Sequence, residues 1–318
     1  MDPLATLQQM LVVLVLIAVG YVAYRSKMVN SDSLRSLSRL TADIFNPAII
    51  FSSMVVNTGG NRPQFVGGIF LVAALMFLTA IVIGWVFSRV LSRRKEAREV
   101  FELMFIFSNM GFVGIPVVSS LFGQEYVFYV AIYIFEYNVL FYTLGIRLIG
   151  SLGGQPDKKL SLFQRIRPMF NMGTIACLAA LAVFALRIPV PRVIGSSVTY
   201  LGNAVVPLSL MIIGCNVAQQ PDLSAIFRDK TAYVFTVLKM LALPVICIFI
   251  LKLIPMPETI RQLSMIMMAM PVGTMPLVVL TQNGINSREC SDGIIITSLA
   301  SVVTLPVMAA IYQRIMSF

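Results

Sequence analysis

Hydrophobic runs dominate the chain. Apolar segments of roughly 20 residues, the length that a helix needs to cross a bilayer, recur from end to end with short polar connections between them. The pattern predicts an all-α membrane protein with ten transmembrane helices, numbered here as spans 1 to 10. Their predicted bounds are Leu4–Tyr24, Leu34–Val56, Phe65–Ser88, Ala97–Leu121, Val127–Leu148, Met169–Leu186, Ile194–Val217, Thr231–Leu251, Thr259–Thr281 and Cys290–Tyr312.

The basic residues predict the orientation of these spans. Seventeen of the 24 lysines and arginines flank the loops that follow spans 1, 3, 5, 7 and 9, and six flank the other side. Loops rich in lysine and arginine stay in the cytoplasm. We therefore expect a multi-pass protein of the cell (inner or plasma) membrane with both termini outside. The N-terminus lacks a basic n-region, so no cleaved signal peptide is expected.

A polar stretch near the middle of the chain separates five spans from five. An odd number of crossings in each half turns the second half upside down relative to the first, so a repeat must be inverted. We expect residues 1–153 to form the first five-helix repeat, 154–168 a cytoplasmic linker and 169–318 the second repeat.

Sequence positions support such a repeat. A shift of 160 residues places Pro47 on Pro207 and Pro116 on Pro276, and the members of each pair fall in corresponding spans. Because the chain has 16 prolines, two aligned pairs alone say little. The repeat is supported by the fact that each pair lies in corresponding spans of the two halves.

Spans 4 and 9 carry helix-breaking residues. Gly111, Gly114 and Pro116 interrupt span 4, and Pro271, Gly273 and Pro276 interrupt span 9. Proline lacks a backbone N–H and glycine lowers the cost of leaving helical geometry, so we predict breaks at 111–116 and 271–276. Unwound backbone at membrane depth must be buried in protein or line a cavity. A matched pair of broken spans is typical of a transporter site at the midplane; ordinary proline kinks are the alternative.

Several short motifs resemble the auxin efflux carrier family over essentially the whole chain. Span 4 reads N-M-G-F-V-G-I-P followed by L-F-G, and span 5 has Asn138 followed by the Y-T-L-G of 142–145. Span 7 has P-L-S-L followed by I-G, and span 9 has A-M-P-V followed by N-G. Each motif alone is weak, whereas their order and spacing together are fairly specific.

The resemblance implies an architecture and an activity. It implies a 5+5 inverted repeat similar to bile-acid and sodium/proton transporters, with spans 1, 2, 6 and 7 as a scaffold and spans 3–5 and 8–10 as a transport unit. The broken spans 4 and 9 would cross, and substrate would bind beside the crossing. Bacterial members include malate and malonate permeases, and relatives form homodimers, so a homodimer is expected.

The half-helix ends at the two breaks suit an anion. Their free N–H groups carry partial positive charge, which favours a carboxylate. Asn109 and Asn138 could contact substrate through their amides, although asparagines also join membrane helices to one another. Asn46, Pro47 and Pro207 would form the scaffold side of the site.

Four ionisable residues lie in or near spans, where charge is costly and often functional. Asp43 is a candidate for proton or cation coupling, or forms an i, i+4 pair with Arg39. Glu136, in the middle of span 5, is a second coupling candidate. Lys239 either snorkels, pairs with Glu136 or attracts the substrate anion. Glu102 is expected to form a surface pair with Arg98.

Other chemistries fit the composition poorly. The chain has no histidine and four scattered cysteines, which removes His-based metal, haem and nucleophilic chemistry and leaves the thiols as small apolar groups. The net charge of +10 lies at helix ends, so no nucleic-acid partner is expected.

The function predicted from the sequence is a secondary active transporter of a small organic anion that works by elevator-type alternating access. The carboxylate could be malate, malonate or an auxin-like acid. We expect proton coupling, no enzyme activity and no cofactor beyond a coupling H+ or Na+. The alternative is a membrane receptor that binds a small anion without net transport.

Overall fold

The computed structural model describes residues 3–57, 65–152, 170–219, 229–285 and 288–317. Within these ranges the regular structure is helical, apart from one isolated β-bridge. The α-helices are α1 Pro3–Arg25, α2 Ser31–Leu40, α3 Asn46–Asn57, α4 Val66–Leu91, α5 Lys95–Ile106, α6 Ile115–Phe122, α7 Val127–Leu140, α8 Ile146–Leu152, α9 Met172–Leu186, α10 Arg192–Asn203, α11 Val205–Ala218, α12 Lys230–Val237, α13 Leu243–Lys252, α14 Glu258–Met268, α15 Met275–Gln282 and α16 Arg288–Met316.

Five helical stretches are long and apolar enough to cross a membrane. They are Val66–Leu91, Gln124–Leu152, Arg192–Ala218, Lys230–Lys252 and Arg288–Met316, and they correspond to predicted spans 3, 5, 7, 8 and 10. Shorter apolar helices cover Leu11–Arg25, Met110–Phe122 and Met172–Leu186. The prediction of an all-helical, multi-pass membrane protein is therefore confirmed.

Three of the four π-helical segments among the described residues lie just before a proline, and the fourth, Phe141–Gly145, does not. Thr41–Phe45, Met110–Gly114 and Leu238–Ala242 are π-helical, and Pro47, Pro116 and Pro244 each follow two residues later. A proline ring clashes with the carbonyl four residues back. A wider π turn moves that carbonyl away, so the helix continues through the proline instead of ending.

This geometry corrects the predicted position of the first break. Gly111, Gly114 and Pro116 lie inside a continuous helical stretch, Met110–Phe122. The non-helical residues are 107–109, immediately before it. In span 9 the non-helical residues are 269–274, which overlap the predicted break at 271–276, and Pro276 lies in the first turn of α15.

Spans 1 and 7 pack backbone to backbone through two glycines. A methyl group on Gly20 would overlap the carbonyl of Met211, and one on Gly214 would overlap the carbonyl of Ile17. The thiol of Cys215 also donates a 3.2 Å hydrogen bond to the Gly20 carbonyl. Lipid gives membrane helices no hydrophobic drive to associate, so they associate through close packing. Small residues such as glycine allow the two backbones to come this close.

Left-handed backbone recurs at related positions in the two halves. Lys27 (φ 63°) follows α1 and Arg187 (φ 54°) follows α9, 160 residues later. Gly123 (φ 107°) follows α6 and Gly284 (φ 71°) follows α15, 161 residues later. Helices often end on a left-handed residue, and here the same helix ends do so in both halves.

Glu102 forms a different pair from the one predicted. Its carboxylate lies 3.2 Å from Arg89 Nη1 and accepts a 3.2 Å hydrogen bond from Ser88 Oγ, so the expected pair with Arg98 is wrong. Helix α5 folds back against α4, and that packing presents the carboxylate to α4 instead of to its own preceding turn. The four cysteines are buried and form no disulfide among the described residues, as expected for small apolar side chains.

Candidate functional site

The two breaks pair with each other through their backbones. The Asn109 N–H donates to the Pro271 carbonyl at 2.7 Å, and the Gly273 N–H donates to the Phe107 carbonyl at 2.9 Å. Ser108 and Val272 thereby form an isolated antiparallel bridge. We call residues 107–109 and 271–273 the crossover. Each break supplies the hydrogen bonds that the other lost by leaving the helix.

Gly273 permits the close approach of the two breaks. A Cβ atom there would lie 3.0 Å from the carbonyl oxygens of both Phe107 and Ser108, closer than a side-chain carbon normally comes to backbone oxygen. Span 10 also contacts the second break, because the Val272 N–H donates a 3.1 Å hydrogen bond to Thr297 Oγ1.

A cavity of about 270 Å³ lies beside the crossover, and we call it the crossover cavity. It brings together six residues predicted for the site, which are Asp43, Asn46, Asn109, Gly111, Asn138 and Gly273. Spans 2, 4, 5, 6 and 9 all contribute to its wall. In the part of the chain that the structure describes, the lining contains one carboxylate, Asp43, and no lysine or arginine.

Three helix N-termini reach this cavity. Met110 begins the helical stretch after the first break, Met275 begins α15 after the second, and Met172 begins α9; all three line the cavity. Backbone N–H groups in a helix's first turn lack intrahelical partners and carry partial positive charge. The described wall has no lysine or arginine, so these backbone N–H groups are its main candidates for contacts with an anion.

Asparagines dominate its polar side chains. Asn109 Oδ1 accepts a 3.1 Å hydrogen bond from the Phe112 N–H and caps the helix after the first break. Asn138 Nδ2 donates to Thr174 Oγ1 at 3.0 Å, which joins span 5 to span 6. Asn46 is 9% exposed, and its Oδ1 has no hydrogen-bond partner among the described residues. A buried acceptor without a partner is costly, so a hydrogen-bond donor, from a water or from a hydroxyl or other N–H or O–H group of a ligand, is expected at this atom.

A larger cavity of about 460 Å³ adjoins the crossover on another side of span 2, and we call it the vestibule. Asn109, Phe112 and Thr274 line both cavities. The vestibule wall includes the exposed side chains of Asp32 and Arg35 from α2.

The remaining predicted residues do not line the crossover cavity. Gly114, Pro116, Pro271 and Pro276 are buried in the crossover helices and their connection, where Pro271 accepts the Asn109 hydrogen bond. Pro47 and Pro207 are half-buried within spans 2 and 7. These prolines lie in helices that help to form the site, but they do not line the crossover cavity.

The three coupling candidates occupy different environments. Asp43 lines the cavity with a 54% exposed side chain and lies 3.6 Å from Arg39 Nε, the i, i+4 pair that was the alternative for it. Glu136 is half-buried on α7, lines neither cavity and forms no ion pair within the described ranges. Lys239 is 1% exposed and donates to the Phe105 carbonyl and to Ser108 Oγ, both at 2.7 Å. A Lys239–Glu136 pair is therefore wrong.

Sequence reasoning missed four polar lining residues, Ser108, Tyr137, Asn171 and Thr274. Asn171 had a readable signal, since an asparagine before an apolar run is a typical N-cap. Its Oδ1 accepts the Thr174 N–H at 3.0 Å. The other three carry no distinctive signal, because only the crossing of distant segments brings them to the cavity.

Across the described residues, no three Cys, Asp or Glu side chains cluster closely enough to hold a metal ion.

Comparison with known proteins gives a consistent family. An uncharacterized transporter of Methanocaldococcus jannaschii is 23% identical over 303 residues, covering 93% of this chain and 95% of that protein. An uncharacterized transporter of Methanothermobacter thermautotrophicus is 21% identical over 313 residues, covering 96% and 97%. The family model described as "Membrane transport protein" matches residues 5–309. The chain therefore belongs to the membrane transport protein family of auxin efflux carrier-like proteins, as its motifs predicted.

Proposed function

We propose that this protein is a secondary active transporter of a small organic anion, most simply a carboxylate such as malate, malonate or an auxin-like acid. The observation that carries the proposal is the convergence of three helix N-termini on a cavity whose described lining contains no basic side chain. Helix N-termini bind anions through oriented N–H groups. They can do so without the strong, slow-releasing contact that a buried arginine would make.

The mechanism we propose is alternating access by an elevator-type movement. Spans 3–5 and 8–10 carry the crossover as a transport unit, and spans 1, 2, 6 and 7 form the scaffold. The matched left-handed residues at Lys27 and Arg187, and at Gly123 and Gly284, support an inverted five-helix repeat. Inverted repeats allow inward-open and outward-open states of similar energy, because the two halves exchange conformations.

The cavity wall contains parts of both proposed units. The Met110 and Met275 helix ends belong to the transport unit, whereas Asn46 and the Met172 helix end belong to the scaffold. The Asn138–Thr174 hydrogen bond crosses the same boundary. Movement of one unit against the other would break that bond and withdraw the α9 N-terminus from the anion, which would weaken binding and favour release.

Proton coupling is proposed to act through Asp43, with Glu136 as the second candidate. Asp43 is the carboxylate on the described cavity wall, so its negative charge repels an incoming anion. Protonation removes the repulsion, and proton and anion then bind with positive coupling. Glu136 lacks such direct contact with the cavity and would have to act through α7.

A binding screen tests the substrate class. Purified protein is heated with monocarboxylates, dicarboxylates, indole acids and matched neutral amides, since a ligand of the folded state raises the apparent melting temperature. We expect stabilisation by at least one carboxylate and none by its amide. Stabilisation by amides alone would contradict an anion site, and binding without flux in proteoliposomes would favour a receptor. An orientation with both termini outside remains a prediction from the basic residues, and a homodimer remains an expectation from the family resemblance.

A further inference from the structure

Lys239 is buried at the crossover in a place that neither cavity reaches. It lies in the π-helical segment of span 8, is 1% exposed, and lines neither the crossover cavity nor the vestibule. A lysine at such depth is expensive unless its charge is compensated. Its role must therefore be sought in the atoms that its ammonium group contacts.

Both contacts are oxygen atoms of the first break. The ammonium Nζ donates at 2.7 Å to the Phe105 carbonyl, in the last turn of α5, and at 2.7 Å to Ser108 Oγ in the crossover. Neither oxygen carries a formal charge. The six ion pairs found among the described residues do not include Lys239.

The α5 C-terminus supplies the compensating negative potential. Helix α5 ends at Ile106 because the chain leaves helical geometry at the break, so its last carbonyls lack the N–H donors of a following turn. The C-terminal end of a helix carries partial negative charge and favours a cation. Uncharged carbonyl and hydroxyl oxygens at a half-helix C-terminus are also the ligands that hold Na+ in broken-helix carriers.

We propose that Lys239 is the resident cation of the crossover, supplied by the chain in the place where a carrier of this type would otherwise bind a coupling metal ion. The inference rests on the proposed transport function. The ammonium holds the α5 end against Ser108, and Ser108 lines the crossover cavity. Lys239 is thus a positioning residue, and the carrier binds its anion without Na+.

Substrate binding in different cations tests the inference. The affinity of the wild-type protein for its best carboxylate is measured by thermal shift in NaCl, choline chloride and N-methylglucamine chloride at one pH. We expect the same affinity in all three. Binding that requires Na+ would overturn the inference while leaving the carrier function intact, whereas absence of carboxylate binding in every buffer would count against the proposed function itself.

Variants separate a cation role from simple packing. Lys239→Ala leaves a space beside uncompensated oxygens, and we expect carboxylate binding about tenfold weaker, restored by methylammonium or Na+. Lys239→Met fills that space without charge, so we expect weak binding that neither cation restores. Wild-type binding in Lys239→Met, or a Lys239→Ala defect that no cation restores, would overturn the inference.

Lys230→Ala is the matched control, since Lys230 begins α12 in the same span with an exposed side chain. It should change neither binding nor cation response. If the Lys239 variants do not fold, a Na+ requirement in the wild-type series still overturns the inference.

Discussion

The backbone N–H of Asn109 donates a 2.7 Å hydrogen bond to the carbonyl oxygen of Pro271. This bond joins two breaks that lie in different halves of the chain. Lipid offers no hydrogen bonds, so each broken helix would leave unsatisfied polar groups at membrane depth. In the crossover each break satisfies polar backbone groups of the other. Next to it, Asn109, Phe112 and Thr274 line both the crossover cavity and the vestibule.

Gly273→Val should destabilise the protein by disrupting this pairing. The new side chain would begin 3.0 Å from the carbonyls of Phe107 and Ser108, and such overpacking costs about 1–3 kcal/mol. We expect a lower melting temperature and loss of carboxylate binding. Gly67→Val is the matched control, because no atom lies within 4 Å of a Cβ at that exposed helical position. Equal melting temperatures for the two variants would contradict the close approach.

Asn46→Leu should separate binding from stability. The Asn46 Oδ1 has no partner within the described structure, so removing it costs no protein hydrogen bond and can even stabilise the fold. We expect an unchanged or higher melting temperature and weaker carboxylate binding. Asn138→Leu is the comparison, because it also leaves Thr174 Oγ1 without its donor and should lower both. A stability loss in Asn46→Leu without a binding change would argue against a ligand at that amide.

Asp43→Asn should uncouple anion transport from a proton gradient. The ionised Asp43 carboxylate and the substrate anion would share one cavity, and two like charges repel each other. The variant should therefore bind the carboxylate more tightly than the wild-type protein at neutral pH and lose proton-driven uptake. Isothermal titration at neutral pH and uptake into proteoliposomes with an inward proton gradient measure the two effects. Gradient-driven uptake that persists in Asp43→Asn but is lost in Glu136→Gln would transfer the coupling role to Glu136.

Gly214→Leu should separate spans 1 and 7. Any side chain at this position would overlap the backbone of Ile17, and neither helix can move away without opening the scaffold. We expect a loss of about 3 kcal/mol or more, seen as poor recovery from detergent and a reduced melting temperature. Gly150→Leu, on α8 with no atom within 4 Å, should behave as the wild-type protein does. Normal recovery of Gly214→Leu would show that the two helices are not tightly packed.

The sequence predicted the helical class and the presence of two interruptions because these follow from composition and local residue preferences. It predicted the family because its motifs resemble those of auxin efflux carriers. It misplaced the first interruption because proline effects depend on the turn before them. Pro116 suggested a break at its own position, but the π segment Met110–Gly114 carries the helix past it. The actual break at 107–109 contains neither glycine nor proline.

Tertiary contacts explain the other differences. The sequence could not choose a partner for Lys239, because Phe105 and Ser108 lie more than 130 residues away in the chain. The contribution of α9 to the cavity likewise depends on how span 6 packs against span 5. Asn171 is an example: its role as a helix N-cap can be predicted from the local sequence, whereas its position at the cavity depends on tertiary packing.

Solute counterflow in proteoliposomes tests the central claim most directly. Vesicles preloaded with an unlabelled carboxylate from the binding screen are diluted into a trace of the same labelled acid in Na+-free buffer. We expect transient accumulation of label in vesicles with the wild-type protein. Protein-free vesicles and vesicles with the poorly binding Asn46→Leu variant should show little. Specific carboxylate binding with no counterflow at any pH, with or without Na+, would contradict a transporter.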